Sequence, residues 1–204
     1  MTDIPGARFR SKRYILRERD EEVVVRRLVA SFGGSVVTER AAKKRKNIAR
    51  AVIWEIIPGL TIGYYDDVRA EASCLIVRSE RDIVEVQAYE DLLRQNLDFL
   101  EDSDLLAALQ ESEPGTKGQI LCLLRLGLGA PLDFDQRFFD QLSLAVQSVK
   151  LDVRIAALRG MTYTEWPQFR PLLQRIASSD SDKPVRELAS KIVSVYDKYG
   201  LGES

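Results

Sequence analysis

Two stretches near the C-terminus of this 204-residue chain open helices in the same way. Asp152-Val153-Arg154 begins one amphipathic helix, and Pro184-Val185-Arg186 begins another 32 positions later. Val153, Ala156, Ala157 and Gly160 in the first fall on the same steps as Val185, Leu188, Ala189 and Ile192 in the second. That i, i+3, i+4, i+7 spacing is the stripe of a helix with one buried face. A period in the low thirties is that of stacked helix pairs. The pattern therefore constrains the C-terminal part to an all-α stack, an architecture that more often binds macromolecules than does chemistry.

The remainder of that half agrees. From Tyr89 onward the apolar spacing predicts helices over Tyr89–Phe99, Ser103–Gln110 (Ser103 as N-cap), Thr116–Leu126, Asp135–Val149, Asp152–Met161, Pro167–Ala177 and Pro184–Tyr199. Glu113-Pro114-Gly115, the GLGAP segment from Gly127 to Pro131, and the SSDSDKP segment from Ser178 to Pro184 punctuate them. Phe138, Leu142, Ala145, Val146 and Val149 form the expected buried stripe of one helix, and Phe169, Leu172, Leu173 and Ile176 that of another. Pro171 is expected one turn into its helix, where the first-turn N–H groups have no intrahelical partner in any case.

The N-terminal half reads as a small antiparallel sheet with one or two helices, an α+β module over 1–100 followed by the helical module over 101–204. Tyr14-Ile15-Leu16 and Ser35 to Thr38 are short strands. Between them Asp20 to Phe32 is a helix with Val24, Val25, Leu28, Val29 and Phe32 on one side, ended by Gly33-Gly34. Ala51 to Ile57 and Leu60 to Tyr65 flank Pro58-Gly59, the pair a type II turn requires, so they form a hairpin. Ala72 to Arg78 is a further strand. Asp82 to Ala88 reads two ways: Val84, Val86 and Ala88 alternate as in a strand, while Ile83, Val86 and Leu93 share a helix face. The alternation favours a strand that passes into a helix near Tyr89.

DVRIAALRGM, a break, and then WPQFRPLLQRIASSDSDKPVRELASKIV together resemble the HEAT repeat in its short bacterial form. Asp152, Val153, Arg154 and Ala157 carry the likeness, with Val185, Arg186 and Ala189 one repeat later. The likeness covers roughly residues 115–199; Thr116 to Gly127 is placed to open an earlier unit but lacks the Asp-x-Val-Arg start. It implies a right-handed stack of helical hairpins in which Asp and Arg of neighbouring repeats bond between layers. Asp152, Arg154 and Arg186 are then structural. Partners of such stacks lie against the inner helices, here Asp135–Val149, Pro167–Ala177 and Pro184–Tyr199 by alternation. The α+β module is then expected to pack on the stack and cap its N-terminal end.

The chain has no histidine, which removes Ser-His-Asp and Cys-His mechanisms, histidine metal ligands and the commonest general base near neutral pH. Two distant cysteines, Cys74 and Cys122, cannot hold a structural zinc alone and read as buried small hydrophobes, with a disulfide between them as the lesser alternative. Tyr64-Tyr65-Asp66-Asp67 pairs carboxylates after a strand, with no third ligand at motif spacing, so it reads as turn chemistry. Gly127-x-Gly129 follows a helix rather than a strand and makes no dinucleotide loop. No catalytic residue, cofactor or metal is expected. The absence of an apolar run of roughly 18–20 residues and of a leader-like N-terminus leads to the expectation of a cytoplasmic protein without a membrane partner.

Charge is uneven. Residues 1–50 hold 14 Lys and Arg against 6 Asp and Glu, and residues 51–204 hold 16 against 25. Arg40, Lys43, Lys44, Arg45, Lys46 and Arg50 form a basic run suited to nucleic-acid phosphates or an acidic protein, or else to a charged edge that protects the sheet. Tyr163, Trp166 and Arg170 lie at a turn between helices, where an exposed Trp is a binding hot spot and a buried one plugs the gap between hairpins. The leading expectation is a non-catalytic protein-binding adaptor, in one version an inhibitor or immunity-type protein that occludes a partner enzyme. Nucleic-acid binding through residues 40–50 comes second. An enzyme using carboxylate, Lys or Tyr chemistry comes third, since HEAT-like folds also include bilin lyases and DNA glycosylases.

Overall fold

A computed structural model describes residues 8–19, 21–42 and 50–200. They divide into two compact units, with the boundary between Glu101 and Asp102.

The N-terminal unit is built on a six-stranded antiparallel sheet among the described residues. Its strands are β1 (Phe9–Arg10), β2 (Tyr14–Ile15), β3 (Ser35–Arg40), β4 (Arg50–Ile57), β5 (Leu60–Asp67) and β6 (Ala72–Ser79). The order is β1-β6-β5-β4-β3, and β2 also pairs with β6. Pro58-Gly59 closes the β4–β5 hairpin as the turn chemistry predicts, with Gly59 at φ +83°. Val52, Trp54 and Ile56 of β4, Leu60, Ile62 and Tyr64 of β5, and Leu75 and Val77 of β6 face one common core. Two helices supply its other side: α1 (Glu22–Ser31) through Val25 and Val29, and α2 (Ile83–Asn96) through Val86 and Leu93. Burial of each large side chain in such a core contributes about 1.5–3 kcal/mol.

Two expectations fail in this unit. Val24 is 49% exposed, because α1 faces the sheet with Val25 and Val29, flanked by the partly buried Leu28 and Phe32. Residues 83–88 are helical rather than extended. Asp82 caps α2 by accepting the Val84 N–H at 2.9 Å, and Ser79 Oγ donates to Glu85 at 2.7 Å, so polar contacts fix the first turn. Val86 and Leu93 then share the buried face while Val84 is 61% exposed, which makes the Val84–Val86–Ala88 alternation accidental.

The C-terminal unit is a run of helices: α3 (Asp102–Glu111), α4 (Lys117–Leu128), α5 (Gln136–Ala145), α6 (Leu151–Thr164), α7 (Arg170–Ser179) and α8 (Lys183–Lys198). Local chemistry starts several of them. Thr116 Oγ1 accepts the Gln119 N–H at 3.3 Å, and Gln119 reaches back to the Gly115 N–H at 2.7 Å, in the manner of a capping box. Asp135 Oδ1 accepts the Arg137 N–H at 2.8 Å to cap α5. A 3₁₀ turn over Pro167–Phe169 precedes α7, so Pro171 falls in the first turn of a new helix, where its missing N–H costs little.

In this unit α4 packs on α6 and α6 on α8, while α3, α5 and α7 pack on α4, α6 and α8 respectively. Gly127 and Gly160 set the α4–α6 distance: a Cβ on Gly127 would lie 2.3 Å from the Gly160 carbonyl oxygen. The grouping of Pro184–Tyr199 with the α5 and α7 segments as inner helices is therefore corrected, because α8 continues the line of α4 and α6. Two smaller corrections follow from helix ends. α3 begins at Asp102, which makes Ser103 its second residue rather than its cap. α5 stops at Ala145, leaving Val149 beyond the helix and 92% exposed instead of in the stripe of Phe138, Leu142 and Val146.

Candidate functional site

The most constrained polar site of the helical unit surrounds Arg154. Its helix carries Val153, Ala156 and Ala157 into the core, and Arg154 is drawn down with them to 7% exposure. A cation at that depth requires partners. Nη1 donates to the Ser148 carbonyl at 2.8 Å, Nη2 to Asp180 Oδ1 at 3.3 Å and also to Asp182 Oδ2. Asp180 Oδ1 additionally accepts the Asp182 N–H at 2.8 Å, which folds the Ser178–Asp182 loop around the guanidinium. Arg186, 32 positions on, repeats the local part of this geometry. Its Nη1 donates to the carbonyl six residues back, that of Asp180, at 2.6 Å, as Arg154 does to that of Ser148. Asp152 is exposed and makes no side-chain hydrogen bond to either arginine.

The second cluster of this unit is aromatic. Trp166 is 2% exposed, lies parallel to Phe169 at 5.9 Å and edge-on to Phe134 at 5.5 Å, and donates from Nε1 to the Leu132 carbonyl at 3.0 Å. It fills space between helices and offers no face to a partner. Arg170 Nη2 pairs with Asp197 Oδ1 at 2.8 Å, and Tyr163 is half-buried. Of the three residues singled out at this turn, none presents an open, unpaired surface.

Most of the basic run, Lys43, Lys44, Arg45 and Lys46, lies outside the described residues. Its two ends are visible. Arg50 is gripped by Glu22, with contacts of 2.9 and 2.7 Å, and by Glu39 at 2.6 Å. These hydrogen bonds hold the Glu22 and Glu39 carboxyls below the usual carboxylate range and raise the Arg50 guanidinium further. Arg50 is thus a tie between α1, β3 and β4, and its charge is spent. Arg40 sits half-buried at the end of β3 with Nε lacking a hydrogen-bond partner.

Tyr64, Tyr65, Asp66 and Asp67 separate into structural tasks. Tyr64 bonds Ser73 at 2.9 Å inside the core, Asp66 pairs with Arg19 at 3.0 Å, and Asp67 accepts the backbone N–H groups of Arg69 and Ala70 at 2.9 Å. Tyr65 accepts a hydrogen bond at 3.0 Å from Nη1 of Arg78, whose guanidinium also lies 5.6 Å from the centre of its ring. Arg78 is 2% exposed, and its Nη2 has no hydrogen-bond partner. It lies on the sheet face opposite the helices. Strand register aligns Glu55, Thr61 and Arg78 in one row across β4, β5 and β6, and beside this row opens a cavity of about 250 Å³. Sequence reasoning passed over Arg78 because a single arginine closing ASCLIVR looks like the wet end of a strand.

Both cysteines are free thiols. Burial pushes Cys74 up to about 12, and burial also raises Cys122, so neither is an activated nucleophile. Among the described residues no cluster of three or more Cys, Asp or Glu side chains is placed to hold a metal ion. No described helix is long and apolar enough to cross a membrane. No protein-family model, curated protein or solved structure matches the chain.

Proposed function

We propose that the chain is a non-catalytic protein-binding module whose helical unit is a short HEAT-like stack. One observation carries the reading. Arg154 and Arg186 bond the carbonyl six residues behind them in the same way, and Arg154 also spans to Asp180 and Asp182 in the loop between α7 and α8, the next helix pair. That is the interlayer Asp–Arg bonding the sequence likeness implies. Stacked hairpins offer extended surfaces to partners. The acidic balance of residues 51–204 favours a basic partner, such as a nuclease-type enzyme that the module occludes.

The test is affinity capture of the tagged chain from its source cells, with and without nuclease, followed by mass spectrometry and salt elution. The expected result is one stoichiometric basic protein that survives nuclease and is released by raised salt. Recovery that depends on nucleic acid would instead assign the function to the run between Arg40 and Arg50.

A further inference from the structure

A short loop of the helical unit holds apolar side chains out toward solvent. Leu132, Asp133 and Phe134, between α4 and α5, are all exposed, Leu132 at 40% and Phe134 at 38%. The aromatic cluster beneath fixes their positions. The Leu132 carbonyl accepts the Trp166 indole N–H at 3.0 Å. The Phe134 ring lies edge-on to Trp166 and tilted on Phe139, each at 5.5 Å, and Phe139 stacks on the buried Phe169 at 4.7 Å. Asp135 then caps α5, so the loop is tied at both ends. A surface ordered in advance gives up little freedom when a partner binds it.

Charge at the loop selects the partner. Residues 126–149 carry Asp133, Asp135 and Asp140 against a single cation, Arg137. Arg137 Nη2 pairs with Asp135 Oδ2 at 2.6 Å, so that cation is spent. Asp133 is exposed and has no hydrogen bond or ion pair among the described residues. An exposed aromatic ring beside a free carboxylate matches a guanidinium, which stacks on the ring through its plane and pairs with the acid through its N–H groups. A lysine ammonium has no plane to stack, and a phosphate or carboxylate would meet Asp133 with like charge.

We propose that the 132–134 loop docks an arginine-bearing segment of a protein partner. The guanidinium stacks on Phe134 and pairs with Asp133, while apolar side chains of the segment cover Leu132. Trp166 supports this surface from below and does not touch the partner. The inference rests on the protein-binding reading above and deepens it by naming the surface and the chemistry it meets.

The experiment sets Asp133→Arg beside Glu111→Arg in the full chain. Glu111 is an exposed acid of α3, equally without a partner among the described residues, so both variants change the net charge alike and both are expected to keep the parent Tm. Each tagged variant is carried through the affinity capture described above. In parallel, the photoreactive residue p-benzoylphenylalanine replaces Asp133 or Glu111 in the source cells. Asp133→Arg is expected to lower recovery of the stoichiometric partner by about tenfold or more, with Glu111→Arg close to the parent. The probe at 133 is expected to crosslink that partner at an arginine-containing segment, and the probe at 111 is not. A partner still captured in full by Asp133→Arg, or uncrosslinked from position 133, overturns this surface and leaves the protein-binding reading standing. Equal losses in the two variants overturn it in favour of overall acidity. No captured partner together with no crosslink at 133 overturns both.

Discussion

Both units bury arginine, Arg154 in the helical one and Arg13 and Arg78 in the sheet one, and Arg154 and Arg78 are held in opposite ways. In the helical unit Arg154 meets a carbonyl six residues back and two carboxylates, Asp180 and Asp182, from the loop before α8. In the sheet unit the Arg78 guanidinium, more deeply buried, hydrogen-bonds only Tyr65 among the described residues. The difference follows from how the elements are built. A helix start brings a carbonyl to the side chain six residues on, and the loop of the adjoining helix pair adds the acids. A strand gives its side chain only what register places on neighbouring strands, and register gives Arg78 a threonine on one side and an arginine on the other. Arg154 therefore ties a loop to a helix through charge, whereas Arg78 is held by a phenol oxygen and an aromatic ring.

The largest effect expected from this contrast is at Arg154. Arg154→Met strands Asp180, which is nearly buried, and removes the centre of the Ser178–Asp182 loop, so a loss of about 3–5 kcal/mol is expected. Arg78→Met removes a costly buried cation and forfeits one hydrogen bond and a cation–π contact of about 0.5–2 kcal/mol. Its stability is expected to stay within about 1 kcal/mol of the parent. Urea unfolding of the two variants, followed by circular dichroism, checks both. Equal losses would erase the distinction between the two arginines.

The next effect sharpens the contrast in backbone rather than charge. Gly127→Ala forces a methyl against the Gly160 carbonyl and Cα, both backbone atoms that cannot swing aside. The cost expected is about 1–3 kcal/mol, confined to the helical transition. In the sheet unit Gly59→Ala meets no close atom but must hold a positive φ, for roughly 1–2 kcal/mol. Thermal unfolding followed by amide hydrogen exchange, read separately over residues 50–101 and 102–200, separates the two. A Gly127→Ala protein as stable as the parent would mean that α4 and α6 part readily.

These particulars also show what the sequence conveys. Pro58-Gly59 and the two Val-Arg helix starts were legible because each depends on neighbours within a few residues, where chemistry and spacing coincide. The residues 83–88 misled because three alternating apolar side chains imitate a strand, and the deciding contacts, from Asp82 and Ser79, are capping bonds too short in range for periodicity to register. Val149 misled because α5 ends at Ala145 without a glycine or proline to announce it. Trp166 was legible as an aromatic of consequence, but whether it faced a partner or a gap depended on Phe134, Phe169 and the Leu132 carbonyl. Arg78 was least legible of all: its meaning lies in register across three strands and in what is missing beside it.

The smallest effect concerns the surface tie of the sheet unit. Arg50 bonds Glu22 and Glu39, and the Glu22 carboxyl is held below its unfolded value chiefly by that hydrogen bond. A depressed carboxyl stabilises the fold at pH values above its unfolded pKa, and the contribution is lost as pH falls through the folded one. Glu22→Gln should therefore cost about 0.5–1 kcal/mol at neutral pH, the range of a partly exposed pair. The gap between variant and parent should close on acidification below the ordinary carboxylate range and shrink in high salt. Unfolding midpoints from pH 7 down to pH 3 at two salt concentrations measure this. A gap that persists unchanged in acid would show that Glu22 acts through packing on α1 rather than through its ion pair with Arg50.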